Sequence, residues 1–311
     1  MKILIAYDGS QCAAVALEDL KIAGLPNTVE AVVMSMADVF LPPPIHEAID
    51  DVFPMYVPAG VRHAQERAER QLRDAESMAL RASEQLRSSF PVWQVNHEAL
   101  ADSPAWALVR KADEWQADLI VVGTQGHSVL GGRLILGSVS QRVLYEAKCS
   151  VRVARERPRR EDNSPLRLIV GVDNSAFSKA AVEAISLRAW PSGTQVRLLA
   201  IVDTVMPFTP DPSSPSIVKW IEVGDEENWD QVREIFEPSA EKLRAAGLEA
   251  AVMIRSGDPK DELIAEAESW GADCIFVGAK GVRGVDRLLL GSVSSAVSAR
   301  ASCSVEVVRK A

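Results

Sequence analysis

Four residues near the carboxyl end of the chain have the spacing of an anion cradle. Gly278 and Gly281 flank Ala279 and Lys280; nine residues follow, and then Gly291 and Ser292. Glycines let backbone amides approach an anion with no Cβ in the way. A Gly-Ser pair opening a helix adds free N–H groups and the positive end of the helix dipole, both of which favour phosphate. Asp173 ends a short apolar run and offers an acceptor to a ribose hydroxyl or an adenine edge. The chemistry is that of a mononucleotide, with phosphates at the glycine loop and the nucleoside towards Asp173. Tight turns followed by an N-cap would use the same glycines and need no ligand. Lys280 is a candidate phosphate contact. Arg287, and Arg133 earlier in the chain, either neutralise phosphate or pair with a surface carboxylate.

The same features occur once before. Asp8 ends an apolar run as Asp173 does, and each is followed by a Ser two residues on, Ser10 and Ser175. Asp118-Leu-Ile-Val-Val-Gly123 matches Asp273-Cys-Ile-Phe-Val-Gly278, Leu136-Gly-Ser-Val-Ser140 recurs as Leu290-Gly-Ser-Val-Ser294, and Cys149-Ser-Val-Arg-Val153 matches Cys303-Ser-Val-Glu-Val307. Four matched blocks in one order mark an internal duplication. The charged stretch around Pro158, starting at Arg155, reads as a solvated linker. It separates a first domain, residues 1–156, from a second, residues 164–311. In the first copy Gly123 and Gly126 are followed by ten residues, not nine, before Gly137 and Ser138. The extra residue either bulges outward or disturbs the array of amides.

The elements that must position these residues follow from the apolar pattern. Strands are expected at 2–7, 29–36, 92–98, 119–122 and 151–154, and helices at 11–23, 61–87, 103–115 and 138–147. Residues 119–122 lack polar alternation, as in a strand buried on both faces. The strand-helix alternation predicts an α/β fold: two tandem copies of an open five-stranded, mostly parallel sheet flanked by helices. In such sheets ligands bind beyond the carboxyl ends of the strands, at the topological switch point. Asp8, Asp173 and both glycine loops fall there. The closing strands, 151–154 and 305–308, offer edges that could pair the copies as an internal pseudo-dimer.

Composition narrows the function. The chain has 311 residues, is 47% hydrophobic and carries a formal net charge of −9. Neither half is basic, so there is no electrostatic footprint for nucleic acid. No apolar run approaches the roughly 20 residues of a membrane span, and an Asp at position 8 argues against a signal peptide; the expected location is the cytoplasm. The four cysteines, Cys12, Cys149, Cys274 and Cys303, form no C-x-x-C pair and read as buried thiols. The four histidines, among them His46 and His127, have no metal-site spacing. A P-loop, a G-x-G-x-x-G after the first strand and a G-x-S-x-G elbow are all absent from the sequence. With no nucleophile, general base or metal set, a dedicated enzyme is not expected. The proline-rich stretches at 41–44 and 206–215 read as surface connections, and Trp220 and Trp229 as the packing of a helical face.

G-x-x-G, nine residues, then G-S is the hallmark that this chain shares with the universal stress protein family, which it resembles in tandem form over essentially its whole length. The resemblance implies binding of ATP or a related adenine nucleotide at Asp173, Gly278, Lys280, Gly281, Gly291, Ser292, Val293 and Ser294. Ile201 is the match to a strand-two position that meets adenine through its backbone. In the first copy the matching positions are Asp8, Gly123, Gly126, Gly137 and Ser138. Any Mg²⁺ would be carried by the phosphates, leaving no signature of protein ligands. The implied output is a stress-response interaction, with a possible homodimer and an unnamed protein partner. Two rival readings are an interaction protein that works through dimer surfaces without nucleotide, and a slow ATPase.

Overall fold

Side chains alternate across a strand, and in this chain both faces of the central strands are apolar. The computed structural model describes residues 1–39, 59–125, 136–156, 164–202, 229–281 and 290–310. The first half runs β1 (Lys2–Ala6), α1 (Gln11–Asp19), β2 (Glu30–Ala37), α2 (Ala59–Ser89), β3 (Gln94–Ala101), α3 (Pro104–Trp115), β4 (Leu119–Gly123), α4 (Ser138–Glu146) and β5 (Ser150–Ala154). The second runs β6 (Arg167–Val172), α5 (Ala176–Ser186), β7 (Gln195–Val202), α6 (Trp229–Ala245), β8 (Glu249–Ser256), α7 (Pro259–Trp270), β9 (Cys274–Gly278), α8 (Ser292–Arg300) and β10 (Ser304–Val308). Gly126, His127, Arg133, Arg287, His46, Trp220, the proline-rich connections and residues 157–163 lie outside the described residues.

The two sheets are one. Ten strands run in the order β3-β2-β1-β4-β5-β10-β9-β6-β7-β8. Within each half neighbours are parallel, and the halves meet where β5 and β10 pair antiparallel. On one face Leu4, Ile120, Val151 and Val153 share a continuous core with Ile275, Val297, Val305 and Val307, so α3, α4, α7 and α8 rest on apolar ground common to both halves. On the other face each half has its own core, around Ile3, Leu17 and Val121 in the first and Val170, Ile185 and Phe236 in the second. The outer edge strands are guarded alike: Arg87 donates to the Val95 carbonyl of β3, and Arg244 to the Ala250 carbonyl of β8. An occupied edge carbonyl is a poorer template for a foreign strand.

Between the two separate cores, at the β5–β10 junction, the sheet buries charge. Arg152 sits directly opposite Glu306, and both are 0% exposed. The Arg152 guanidinium forks onto Asp19 at 2.5 and 3.2 Å and reaches Glu306 at 3.2 Å. Glu306 is also held by both terminal nitrogens of Arg188, one at 2.9 Å. Ser304 donates to Asp19 at 2.7 Å. Two cations thus face two anions. Burial alone would discharge each group. Asp19 and Glu306 keep Arg152 charged, well above its ordinary range. For Glu306, burial is overcome by Arg188 and Arg152, which hold the carboxyl below the usual carboxylate range.

The structure corrects three expectations. Arg155, read as the start of a solvated linker, is buried and bonded to the other half. Helix α1 stops at Asp19, which meets Arg152, and residues 20–22 form a 3-10 turn. Cys12 and Cys149 are only partly buried, whereas Cys274 and Cys303 are fully so. Trp229 does pack against the second-half core.

Removing one member of a buried charge network leaves its partner uncompensated. Arg152→Met is expected to lower unfolding free energy in urea by about 3–5 kcal/mol, whereas Arg73→Met, at an exposed pair with Glu69, should cost about 1 kcal/mol or less. The depressed Glu306 contributes stability above the unfolded carboxyl value of about 4.3, and that contribution is lost as pH falls through its lower folded value. Glu306→Gln should therefore be less stable than the parent at pH 7, and the gap should narrow in denaturation series taken below about pH 4.

Candidate functional site

The parallel order places β1 between β2 and β4, and β6 between β7 and β9. In each half the chain leaves its first strand to build outward and then returns on the other side, so the crevice opens between β1 and β4, and again between β6 and β9. The residues at the carboxyl ends of those strands are the ones singled out above.

Asp173 follows β6 and starts a tight turn. Its Oδ1 accepts from the Ser175 amide at 3.0 Å, and Ser175 caps α5 by accepting from the Ser178 amide at 3.0 Å. Asn174 between them has φ 62°, a left-handed conformation that asparagine tolerates better than most residues. The first half repeats this: Asp8 accepts from Ser10 at 3.0 Å, Ser10 caps α1, and Gly9 has φ 78°. The turn fixes the direction of each carboxylate.

The glycines have distinct roles. A Cβ on Gly281 would lie 2.7 Å from Asp173 Oδ2. Gly281 is therefore the point where the loop backbone meets the carboxylate, and any side chain there would strike it. A Cβ on Gly278 would meet the Phe177 backbone carbon at 2.7 Å, and one on Gly123 would meet the Cys12 carbonyl oxygen at 2.7 Å. The first glycine of each motif thus admits the first turn of α5 or α1 onto the sheet, instead of freeing amides for an anion. Gly291 donates to the Ala279 carbonyl at 2.7 Å, and Gly137 to the Thr124 carbonyl at 2.7 Å, closing each loop where its helix begins.

Gly291 and Gly137 are the N-caps of α8 and α4, and neither helix receives a side-chain cap. The opening N–H groups of a helix have no intrahelical partners. Ser292 and Ser138, the first residues of these helices, are exposed. Ser294 is turned inward: its hydroxyl donates to the Ala279 and Gly291 carbonyls at 3.0 and 3.1 Å. It holds the loop together, and Val293 packs against the core. Of these two sequence candidates, the structure gives both side chains a supporting role. Ile201 lies one residue past the registered pair of Val172 with Ala200, level with Asp173, and is half-buried.

Lys280 stands with its Nζ 5.8 Å from the centre of the Phe177 ring. Phe177 was not a sequence candidate, and only its place in the first turn after Asp173 could have suggested it. The first half has Gln125 and Cys12 in these two positions, with Thr124 donating to the Cys12 sulfur at 3.4 Å. The two sites therefore share a frame and differ in charge. Burial pushes the Cys149 thiol up to about 11 and that of Cys303 up to about 12, so neither is a ready thiolate. Among the described residues no group of three His, Cys, Asp or Glu side chains could hold a metal ion, and no helix is long and apolar enough to cross a membrane.

Comparison with known proteins bears on the fold and the family. A universal stress protein of Mycobacterium tuberculosis is 26% identical over 99% of this chain and 94% of its own length. Universal stress protein YxiE of Bacillus subtilis is 29% identical over 46% of this chain and 98% of its own. A solved universal stress protein from Archaeoglobus fulgidus, 18% identical, superposes over 99% of this chain and 96% of that chain with a TM-score of 0.56, a likeness of fold. The model of the universal stress protein family matches twice, at residues 1–155 and 166–309. The chain belongs to the universal stress protein family.

Proposed function

We propose that the second half binds an adenine nucleotide, ATP or a close relative, and that the protein works as a nucleotide-dependent regulatory module in the cytoplasm, not as a dedicated enzyme. The observation that carries this reading is the pairing of an uncapped helix start at Gly291 with Gly281 pressed against Asp173. The uncapped amides of α8 suit phosphate oxygens. Oδ1 of Asp173 holds the turn, Oδ2 faces Gly281, and an ionised carboxylate only accepts hydrogen bonds. Ribose hydroxyls are the matching donors. The backbone of Ile201, at the same level on β7, would flank the base. Lys280 would add a cation beside the phosphates and Ser292 a hydroxyl, while Gly278, Val293 and Ser294 would keep the cradle in shape. A divalent cation would ride on the phosphates.

The first half would offer Asp8, Gly123, Gly137 and Ser138 in the same frame, with the longer loop and without the lysine. It is the weaker of the two proposed sites. The β5–β10 edge is spent inside the chain, so a homodimer would form through another surface.

Native mass spectrometry of protein purified without added nucleotide tests this reading. The expected result is one or two retained adenine nucleotides, with the second-half nucleotide lost in Gly281→Val and any first-half nucleotide lost in Gly126→Val. An unliganded mass, together with no heat on titrating ATP, would remove the nucleotide reading and leave an interaction protein in its place.

A further inference from the structure

Each half lends an arginine to the other. Arg155, just beyond β5, donates to the Cys303 and Ala299 carbonyls, both at 3.4 Å, and to the Ser298 carbonyl. Arg309, just beyond β10, donates to the Cys149 carbonyl at 3.2 Å and to the Leu144 carbonyl. Two of these contacts correspond across the copies, because Arg155 and Arg309 hold the same place in the two copies, as do Leu144 and Ser298, and Cys149 and Cys303; the Ala299 contact is made by Arg155 alone of the two. Each guanidinium therefore occupies the carboxyl end of the helix whose opposite end forms the partner half's glycine-loop site. The last carbonyls of a helix lack intrahelical partners, and a cation there complements the dipole. Burial brings both arginines down to about 10, so they remain charged at neutral pH.

Two further contacts tie the same helices together. The Tyr145 hydroxyl of α4 and the Ser295 hydroxyl of α8 are 2.9 Å apart. A cavity of about 140 Å³ lies between α4 and α8, and Leu136 and Leu290 both line it. These leucines directly precede Gly137 and Gly291. The start of α8 thus touches the end of α4 through the Ser295–Tyr145 pair, and the residues before both helices face one cavity.

We propose that Arg155 and Arg309 are positioning residues in trans: Arg155 sets the glycine-loop site of the second half, and Arg309 that of the first. This assigns both sites a component from across the junction, so neither is complete in an isolated half. As far as ligand affinity is concerned, the inference rests on the nucleotide reading above.

Hydrogen exchange on the ligand-free, full-length protein tests the positioning by itself. Arg155→Gln should raise exchange at the hydrogen-bonded amides beside the start of α8, Gly291 and Ser295, and leave those beside the start of α4, Gly137 and Gln141, unchanged; Arg309→Gln should do the reverse. A general loss of stability would loosen both helices in either variant. ATP titration then reads the consequence. With the first site removed by Gly126→Val, Arg155→Gln should weaken the remaining binding by about tenfold, and Arg309→Gln by less than about twofold. Equal effects of the two variants on both helices, or no effect on either, would overturn the proposal. If Arg155→Gln does not fold, Arg155→Lys keeps the charge but loses the fork, and it should give a smaller change of the same crosswise pattern. If the parent protein binds no ATP, the nucleotide reading fails, and the exchange pattern alone decides the positioning.

Discussion

Arg152 faces Glu306 at the one place in the sheet where a residue meets its own counterpart. The β5–β10 register pairs Val305 with Val153 and Val307 with Val151, so the axis relating the copies passes through the Arg152–Glu306 pair. Two first halves joined in this register would bury arginine against arginine, and two second halves would bury glutamate against glutamate. Like charges at such a distance in a poorly polarisable interior repel strongly. Opposite charges on the axis require a first half to meet a second half. The junction therefore selects the pairing of unlike halves, which one chain supplies by itself, and the cost of desolvating the ions is met by Asp19, Arg188 and Ser304 gathered around them.

The rest of the architecture follows from that junction. Once β5 and β10 are joined, the α4 and α8 helices share one apolar floor, and their carboxyl ends lie within reach of the opposite half's terminal arginine. Their amino ends are left with glycine caps beside the switch points. The proposed binding apparatus is thus anchored at the centre of the molecule, while the Asp turns and the α1 and α5 helices approach it from the other side of the sheet. Gly123 and Gly278 allow that approach, since a single methyl there would meet helix backbone.

Much of this was legible in the sequence because the informative signals are local. Apolar runs ending in Asp gave the strands, the Asp-x-Ser spacing accompanied the turns, and the repeated Gly-Ser blocks gave the helix starts. The edge pairing of the closing strands could be anticipated from their apolar character and terminal place. Long-range chemistry was not visible. Nothing near Arg155 in the chain distinguishes a linker arginine from one that crosses to Ser298, and nothing near Asp19 announces Arg152. Gly278 and Gly281 look equivalent in the motif, yet one accommodates a helix and the other a carboxylate, a difference set by what the fold brings against each.

Duplication within one chain also removes the requirement that the two sites be identical. In a symmetric dimer every change in a loop appears twice. Here Lys280 beside Phe177 in one half stands against Gln125 beside Cys12 in the other, and one loop is a residue longer. The same freedom that allowed opposite charges on the axis allows one site to keep the full motif while the other drifts. The shared helices constrain that drift: a change that shifts α4 moves Leu136 and Tyr145 against the surface on which Leu290 and Ser295 rest. The copies agree where the helices begin, in the shared Gly-Ser-Val-Ser block, and part further along them, where Leu144 and Tyr145 stand against Ser298 and Ala299.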